Sequence, residues 1–592
     1  MSAAEAGPGL REPFPPAPAA TRSSTRHRGP LPRSRSARVA LAAVLLTGVA
    51  YATIIQSFSW NQTSHYDLIR ALNDDETTID AYAANTGDKV EYNHHIYSAR
   101  APGLALFSLP FYDALNLLNA ESWTRNHKPA TAHPGDDMIY LIGLWGNVLP
   151  GLLLLALVWG VAGRFEPGFG AATAITMGLG TLVLPLSTLL FSHMFTTFLS
   201  FGAFALMLRE RDGPPRPSLL AVAGLAMGYA FSSEYPTFFA AIVLGGFLLS
   251  RRDALNPRGI VTRMGAYVGG GLAGIIPLLL YNHYAFHSWT HLAYANVEHQ
   301  KTGFFGINAP SLSGLATLLF DSRGLLTLSP VLILGGVGTW LLYRRGHRAE
   351  ALTITGVCLC YVLYNSGYYL LFGGGFMGPR FLDTMLPFLV CPLGLAFKRF
   401  PGPTVALAGV SITTIVIATI THPLIGYEPE AVTWVRFLAK GLFQPTIASA
   451  YGMGRGWGGI WPFLLAGGGG VVLAVAATPR LRLSGRTLGW GLLTLVGWAL
   501  FAALAPTILG IDHHGLANIY AAHDHTAFFK ELGTCTTAQA PCYGKYPLRA
   551  LAPLAAVAGL LGLAGVWLVR REPTGRPAAG AGADTYQAAV SG

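Results

Sequence analysis

Long apolar segments recur along the whole chain of 592 residues, and they constrain the fold more than any other feature. Many of them reach the roughly 18–20 residues that a helix needs to cross a lipid bilayer. Charged residues make up 12% of the sequence, about half of the share usual in soluble proteins, while hydrophobic residues make up 52%. The mean hydropathy is +0.43. The sequence therefore predicts an all-α polytopic membrane protein.

The apolar runs predict about 12–14 transmembrane helices, because one run supplies one crossing. Two pairs of short runs between residues 170 and 250 leave the number open. The predicted spans are 39–58, 138–162, 170–188, 191–208, 218–234, 235–250, 264–285, 316–343, 350–371, 381–397, 404–421, 460–477, 487–510 and 549–569.

Basic residues are concentrated in short loops that fall on one side of the membrane when the spans alternate. The net charge of +11 therefore reflects topology and gives no indication of nucleic-acid binding. Because short cytoplasmic loops are rich in Lys and Arg, we expect both termini to be cytoplasmic. The basic loops are 209–217, 251–263, 343–348, 397–403 and 479–486, with polar tails predicted to be disordered at 1–38 and 571–592.

The loops on the opposite side are long, and they carry most of the acidic residues and nearly all of the histidines. We therefore expect extracytoplasmic chemistry. No Gly-rich phosphate loop of the Walker type occurs in the sequence, which argues against ATP-driven work. No internal repeat of the kind expected for many secondary transporters is visible. The outer loops are 59–137, 286–315, 422–459 and 511–548.

The first outer loop contains two predicted surface helices. In the segment SHYDLIRAL, Tyr66, Ile69 and Leu72 recur at helical spacing, which predicts an amphipathic helix at the membrane surface. Residues 103–118 are apolar but interrupted by a proline, and we expect a helix along the outer membrane surface. Asp80 lies in the segment TTIDAY, so we expect its carboxylate near apolar groups.

The motif YSARAPGL, residues 97–104, joins the end of this loop to the second surface helix. It resembles the Y-S-x-K-x-P-G-L motif of bacterial glycosyltransferase family 39-like proteins, GT-C glycosyltransferases that include aminoarabinose transferases and protein O-mannosyltransferases. The resemblance implies a GT-C-like bundle in which Arg100 binds the phosphate of a polyprenyl-phosphate sugar. Arginine in place of lysine keeps the charge and adds a bidentate fork for phosphate. His95 and Tyr97 are expected to bind substrate.

One departure from that family affects the catalytic base. Many members carry an Asp-Glu pair four residues before a tyrosine, and this chain has Gln62 and Thr63 at the corresponding positions. A carboxylate must still reach the acceptor hydroxyl. We therefore expect Asp80 to be the base, with Asp67 as the second candidate. The alternative is that Asp80 only caps a helix or a turn.

Three ionisable residues stand near the outer ends of spans. His193 lies in LLFSHMFTTFL, Glu234 in GYAFSSEYPTFF and Arg380 in GPRFL. Because charged groups are costly within a membrane, such residues are candidates for function. The GPR-x-L segment also resembles the same family, which implies that Arg380 is a second phosphate-binding residue. His193 and Glu234 are expected to bind substrate. The alternatives are a hydrogen-bonded loop histidine and an arginine that anchors a helix start.

Histidines and cysteines provide weaker signals. His283, His287 and His291 follow at four-residue steps and would share one face of a helix, but an aromatic belt at the membrane surface explains them better. We therefore predict no metal site and no required cofactor; a divalent metal has no support in the sequence. Cys535 and Cys542 flank a short segment of the last outer loop and are expected to form a disulfide.

The leading hypothesis is an integral membrane glycosyltransferase of the GT-C type. It would move a sugar from a polyprenyl-phosphate donor to a hydroxyl of a glycan, lipid or protein outside the plasma membrane, with inversion. Residues 39–400 would form the GT-C-like catalytic module, and residues 401–570 would add further transmembrane helices. The alternative is a transporter or lipid-linked glycan flippase without covalent chemistry. A ligase or polymerase with a pyrophosphate-linked donor is a third possibility.

Overall fold

The computed structural model describes residues 34–57, 59–120, 136–251, 256–297, 303–321, 323–424, 430–508 and 547–570. Within these ranges the protein is helical, apart from one two-stranded antiparallel sheet in the first loop. The strands are Lys89–Tyr92 and His95–Ser98. The α-helices are Arg35–Thr53, Trp60–Asn73, Gly103–Leu117, Asp136–Gly143, Leu149–Phe165, Gly170–Gly180, Val183–Ser187, Ser192–Asp212, Pro217–Ser233, Thr237–Phe247, Pro257–Phe286, Leu312–Phe320, Leu325–Leu328, Val331–Arg344, Arg348–Ser366, Leu386–Val390, Leu393–Arg399, Pro401–Thr421, Glu430–Lys440, Ile447–Ala450, Trp457–Ala476, Gly485–Ile508 and Pro547–Arg570.

The predicted all-α polytopic class is confirmed. In the part of the chain that the structure describes, 7 helices are long and apolar enough to cross a membrane, and the number rises to 9 if two bent helix pairs each count as one span. The seven are Arg35–Thr53, Met138–Phe165, Pro257–Phe286, Pro401–Thr421, Trp457–Ala476, Gly485–Leu504 and Leu551–Val569.

This count is lower than the predicted 12–14 because several apolar runs do not form one long helix. The run 170–188 divides at Thr181 into two short helices, Gly170–Gly180 and Val183–Ser187. The predicted spans 218–234 and 235–250 are two separate helices, Pro217–Ser233 and Thr237–Phe247, each too short to count as a crossing, and Glu234 between them has an extended backbone. Pro236 cannot donate the backbone hydrogen bond that would continue the first helix, and the second helix begins directly after it. The helices Ser192–Asp212 and Arg348–Ser366 are long but less apolar.

Loops predicted to be cytoplasmic contact one another through buried carboxylates. The fully buried Glu210 binds Arg251 and Arg263, the latter at 2.8 Å. Glu166 accepts hydrogen bonds from Arg345 and from Lys398, which is 2.8 Å away. These contacts join loops that alternation of the spans predicts to be on one side, so they agree with the predicted order of crossings.

Both predicted surface helices of the first loop are present. The loop helix (Trp60–Asn73) packs against the surface helix (Gly103–Leu117) through an edge-to-face contact of Tyr66 with Tyr112, at 6.2 Å between ring centroids. The polar face of the loop helix is not exposed to solvent. Its polar side chains are buried because the β-hairpin and neighbouring helices cover them; they are Asn61, Gln62, Ser64, His65 and Asp67.

Candidate functional site

A β-hairpin orients the YSARAPGL motif. Strands Lys89–Tyr92 and His95–Ser98 pair in register, with Val90 opposite Tyr97. The two connecting residues, Asn93 and His94, both have positive φ, at 49° and 65°. Such a turn matches the twist of antiparallel strands, and asparagine favours it. The second strand ends at Ser98, so Arg100 emerges at the base of the hairpin beside the loop helix.

Arg100 is held by groups on both sides of its guanidinium. Asp88 forms an ion pair with one nitrogen. The side-chain amide of Asn61 is oriented so that its oxygen faces Arg100. This oxygen accepts hydrogen bonds from Arg100 Nη1 at 3.2 Å and from Arg100 Nε at 3.3 Å. Burial alone would lower the pKa of Arg100, but the electrostatic effects of Asp88, Tyr294 and Glu234 outweigh it and raise the pKa above its ordinary value. Arg100 is therefore a fixed positive charge.

Arg380 follows a glycine-rich turn that leaves room for its side chain. Gly373 has a φ of 72°, and a Cβ at this position would collide with Arg380 Nε. The guanidinium lies over the Phe191 ring, 5.0 Å from its centroid, and over the Phe381 ring at 5.3 Å. Arg380 is only 6% exposed. Its Nε has no hydrogen-bond partner, and no carboxylate among the described residues forms an ion pair with it.

The structure brings Arg100 and Arg380 together although 280 residues separate them in sequence. Each lies within electrostatic range of the other, and Asp88, Glu234 and Tyr294 act on both. We call these five residues the arginine cluster. Two neighbouring positive charges in a poorly solvated site repel each other and attract an anion. The arrangement can therefore bind a phosphate group.

His193 and Glu234 also lie together, as part of a buried acid–histidine group that adjoins the arginine cluster. His193 Nδ1 is 3.9 Å from Glu234 Oε1 and 3.7 Å from Asp383 Oδ1. Glu234 accepts a hydrogen bond from Ser192, and Asp383 accepts one from Thr197 at 2.7 Å. Sequence reasoning missed Asp383, although its position three residues after Arg380 in one 3₁₀ turn was a usable signal.

His65 was also missed. It is fully buried on the loop helix, and neither ring nitrogen has a hydrogen-bond partner among the described residues. Burial lowers the pKa of His65 well below its ordinary value, and the electrostatic effects of Arg100, His193 and Arg380 lower it further. Helical periodicity marks the apolar positions of this segment, so it did not single out His65.

Asp67, the second predicted base, is bound within the first loop. Its Oδ1 accepts from Arg70 and, at 3.4 Å, from Asn85. Its Oδ2 is buried without a partner. Burial raises the pKa of Asp67, while the contacts with Arg70 and Asn85 oppose the rise. Arg70 in turn lies over the Tyr82 ring, 3.8 Å from its centroid.

Asp80, the first predicted base, is 43% exposed, so the expectation of apolar surroundings is wrong. The carboxylate accepts a hydrogen bond from His95 Nδ1 at 2.7 Å and another from the Ile96 backbone N–H at 2.6 Å. Both donors belong to the second strand of the hairpin, which lies beside Asp80. Burial opposes ionisation, but these two hydrogen bonds outweigh it and hold the pKa of Asp80 below its ordinary value. Within the described ranges, neither Asp80 nor Asp67 contacts the arginine cluster, and both remain predictions.

The remaining predicted substrate residues lie on the hairpin. His95 is bound to Asp80 at the exposed edge. Tyr97 is buried against Phe286, with 4.8 Å between ring centroids. Burial raises the pKa of Tyr97, as does the negative charge of Asp80. Tyr97 thus packs the buried face of the hairpin against Phe286, while His95 lies at the exposed edge.

The histidine series of the second outer loop does not share a helix face. The helix Pro257–Phe286 ends just before His287, which has a φ of 52°. The His283 ring stacks on Trp289 at 4.3 Å between ring centroids, whereas the His291 ring is tilted against Tyr92 at 4.8 Å. No group of three His, Cys, Asp or Glu side chains that could hold a metal occurs among the described residues. The predicted disulfide between Cys535 and Cys542 lies outside these residues.

Comparison with known proteins gives a likeness of structure and none of sequence. No protein-family model matches the chain, and no curated protein matches it. ArnT from Cupriavidus metallidurans, in the apo state, is similar at a TM-score of 0.39 and 17% identity, with 79% of each chain covered. The oligosaccharyltransferase of Archaeoglobus fulgidus, also in the apo form, is similar at a TM-score of 0.38 and 10% identity. That match covers 74% of this chain, which spans 56% of the length of the oligosaccharyltransferase.

Proposed function

We propose that this protein is an integral membrane glycosyltransferase that moves a sugar from a polyprenyl-phosphate donor to a hydroxyl group, with inversion. The observation that carries the proposal is the arginine cluster, in which Arg380 is buried without a carboxylate partner among the described residues. A buried charge is normally paired, because leaving water is costly. A phosphate bound between Arg380 and Arg100 would supply the missing negative charge.

Both arginines suit the leaving group of this reaction. When the bond between the anomeric carbon and the phosphate oxygen breaks, the phosphate gains a second negative charge. Fixed guanidinium groups stabilise charge that develops during the reaction, and they need no reorganisation at that moment. Asp88 and Asn61 already orient Arg100 before any substrate binds. The polyprenyl chain would lie in the surrounding bilayer.

We further propose Glu234 as the base that accepts the proton of the acceptor hydroxyl. It is the buried carboxylate that acts on both arginines without an ion pair to either among the described residues, unlike Asp88. Ser192 and His193 hold it in place. In the proposed step, the acceptor oxygen bonds to the anomeric carbon, polyprenyl phosphate departs, and the hydroxyl proton moves to the carboxylate.

This reaction needs no nucleotide and no diffusible cofactor, since the donor sugar is already activated by its phosphate. We place the protein in the plasma membrane with the arginine cluster on the extracytoplasmic side, as the basic loops predict. The acceptor would be a glycan, a lipid or a protein of the cell envelope.

A transfer assay with the full-length chain in lipid nanodiscs tests the proposal. The protein receives labelled polyprenyl-phosphate sugars and an envelope extract as acceptor source, and release of polyprenyl phosphate is measured. Glu234→Gln is expected to lower release by about 10²–10⁴-fold, as for loss of a general base. Glu91→Gln, at an exposed hairpin position, is the matched control with full activity.

The possible results of this assay test the proposed function and the choice of Glu234 as base independently. If Asp80→Asn or Asp67→Asn abolishes release while Glu234→Gln does not, the base is the predicted aspartate and the glycosyltransferase proposal stands. If no donor is consumed but labelled donor crosses proteoliposome membranes, the protein is a transporter and the proposal is wrong.

A further inference from the structure

His65 lies on the face of the loop helix that is turned toward Arg100. Asn61, one helical turn earlier, accepts hydrogen bonds from the Arg100 guanidinium. The neighbouring Ser64 contacts the Ser98 hydroxyl at 2.8 Å and donates to the Asp88 carbonyl at 2.6 Å. His65 is thus held at the rim of the arginine cluster by its own helix, with no freedom to turn toward solvent.

The imidazole is unusual because burial has not been compensated. Both Nδ1 and Nε2 of His65 are inaccessible and lack hydrogen-bond partners among the described residues. Buried polar atoms almost always have a partner, and leaving one without a partner is destabilising. A group from outside the described residues can therefore complete the site. The nearest feature that attracts such a group is the pair of arginines.

The charged groups that act on His65 come from three different parts of the fold. Arg100 follows the hairpin, His193 begins a long helix, and Arg380 begins the 3₁₀ turn. No carboxylate is among the groups that act on it. Asp88 and Glu234 act on the arginines instead. The imidazole is therefore neutral while the arginine cluster holds no anion.

We propose that His65 is a third phosphate-binding residue, which takes up one proton when a phosphodiester binds between Arg100 and Arg380. The ligand class rests on the proposed function, whereas the anion site rests on the geometry above. A neutral imidazole offers one N–H donor, and an imidazolium offers two donors and a charge. A bound anion offsets the repulsion from both arginines and gives the buried imidazolium a charged acceptor, so it favours the protonated form in the complex.

The sign of the pH dependence follows from this linkage. The pKa of His65 is low in the free protein and rises when the anion is bound. Between these two pKa values, binding is coupled to uptake of a proton, so affinity increases as the pH falls. Above both values, and below both, affinity is independent of pH. A structural histidine would show no such window.

Calorimetry on the full-length protein in nanodiscs tests the inference. The probe is a short-chain prenyl-phosphate sugar, a phosphodiester that keeps a single charge and so does not titrate over the pH range used. Titrations at several pH values in two buffers of different ionisation enthalpy measure proton uptake. The wild type is expected to take up close to one proton within the window. His65→Asn is expected to take up none and to bind about 10- to 100-fold more weakly, the loss of a charge-assisted hydrogen bond.

His283→Asn is the matched control, because its Nδ1 is also buried without a partner and it is not part of the arginine cluster. It should retain the affinity and the proton uptake. The wild-type measurement needs no variant, so misfolding of His65→Asn cannot hide the answer. Binding without proton uptake, or uptake that persists in His65→Asn, overturns the inference alone. A wild type that does not bind the phosphodiester overturns the proposed function as well.

Discussion

Replacing Arg380 by glutamine should lower transfer without lowering stability. In the resting protein its Nε lacks a partner, and the charge repels Arg100. The effective cost of burying an uncompensated charge is several kcal/mol. Cation–π contacts with the Phe191 and Phe381 rings stabilise the buried charge by about 0.5–2 kcal/mol each. Arg380→Gln should therefore leave the free energy of unfolding unchanged or raise it by about 1–2 kcal/mol.

Transfer should respond in the opposite direction. Loss of one donor aimed at developing negative charge lowers turnover by about 10²–10³-fold, or roughly 2.7–4 kcal/mol. The donor affinity should fall as well, because the guanidinium would contact the phosphate before and during the reaction. Release of polyprenyl phosphate measures the effect on transfer, and thermal unfolding in nanodiscs measures the effect on stability.

Arg323→Gln provides the matched control, since Arg323 is also buried in the same region. Arg323 donates to the carbonyl oxygens of Gly374, at 2.8 Å, and of Phe376, and it lies over the Phe372 ring. Two charge-assisted hydrogen bonds are worth about 1.5–3 kcal/mol each, so this variant should be destabilised by roughly 3 kcal/mol or more. If Arg380→Gln loses as much stability as Arg323→Gln, or keeps most of the transfer activity, the inference that Arg380 binds an anion is refuted.

Three further predictions concern the surroundings of the site and the opposite side of the bundle. Gly373→Ala should displace Arg380 and cost about 1–2 kcal/mol because of its positive φ, so transfer should fall more than stability in the same two assays. Glu210→Gln should lower the free energy of unfolding by about 3–5 kcal/mol, because two arginines lose their carboxylate, while the specific activity of folded protein stays unchanged. The lowered pKa of Asp80 means that its pairing with His95 stabilises the protein above about pH 4 and is lost as the pH falls through the folded-state pKa. Because the pair is exposed, Asp80→Asn should change the unfolding midpoint only slightly at pH 7, and the difference from wild type should vanish in acid.

The sequence predicted local features better than their surroundings. Helical spacing of Tyr66 and Ile69 correctly indicated the loop helix, and both residues are buried. The same spacing did not single out His65, because periodicity separates apolar from polar faces and does not show what covers the polar one. Hydropathy found the apolar segments and the boundary at Glu234, but not the division of the run 170–188 at Thr181.

Arginines far apart in sequence present a different problem. The local sequence around Arg100 or Arg380 does not predict that the two residues lie close together in the fold, and no periodic pattern extends over such a distance. Both were chosen for their motifs, and the fold places them within electrostatic range of each other. The carboxylates were harder to choose, since Asp80 and Asp67 were selected by position in the loop alone. Hydrogen bonds within the loop, which a sequence does not reveal, occupy both of them.

The distribution of paired charges distinguishes the two sides of the bundle. Where loops are predicted to be cytoplasmic, the buried Glu210 has two arginine partners, and Glu166 contacts both an arginine and a lysine. On the side of the first outer loop, Arg380 and His65 are buried just as deeply, yet neither has a hydrogen-bond or ion-pair partner among the described residues. A chain that can satisfy its buried charges at one end has the means to do so at the other. Unsatisfied groups that persist together are costly, and such groups are expected where a ligand completes them. The arginine cluster is therefore the part of the fold where we expect a bound anion to supply the missing partner.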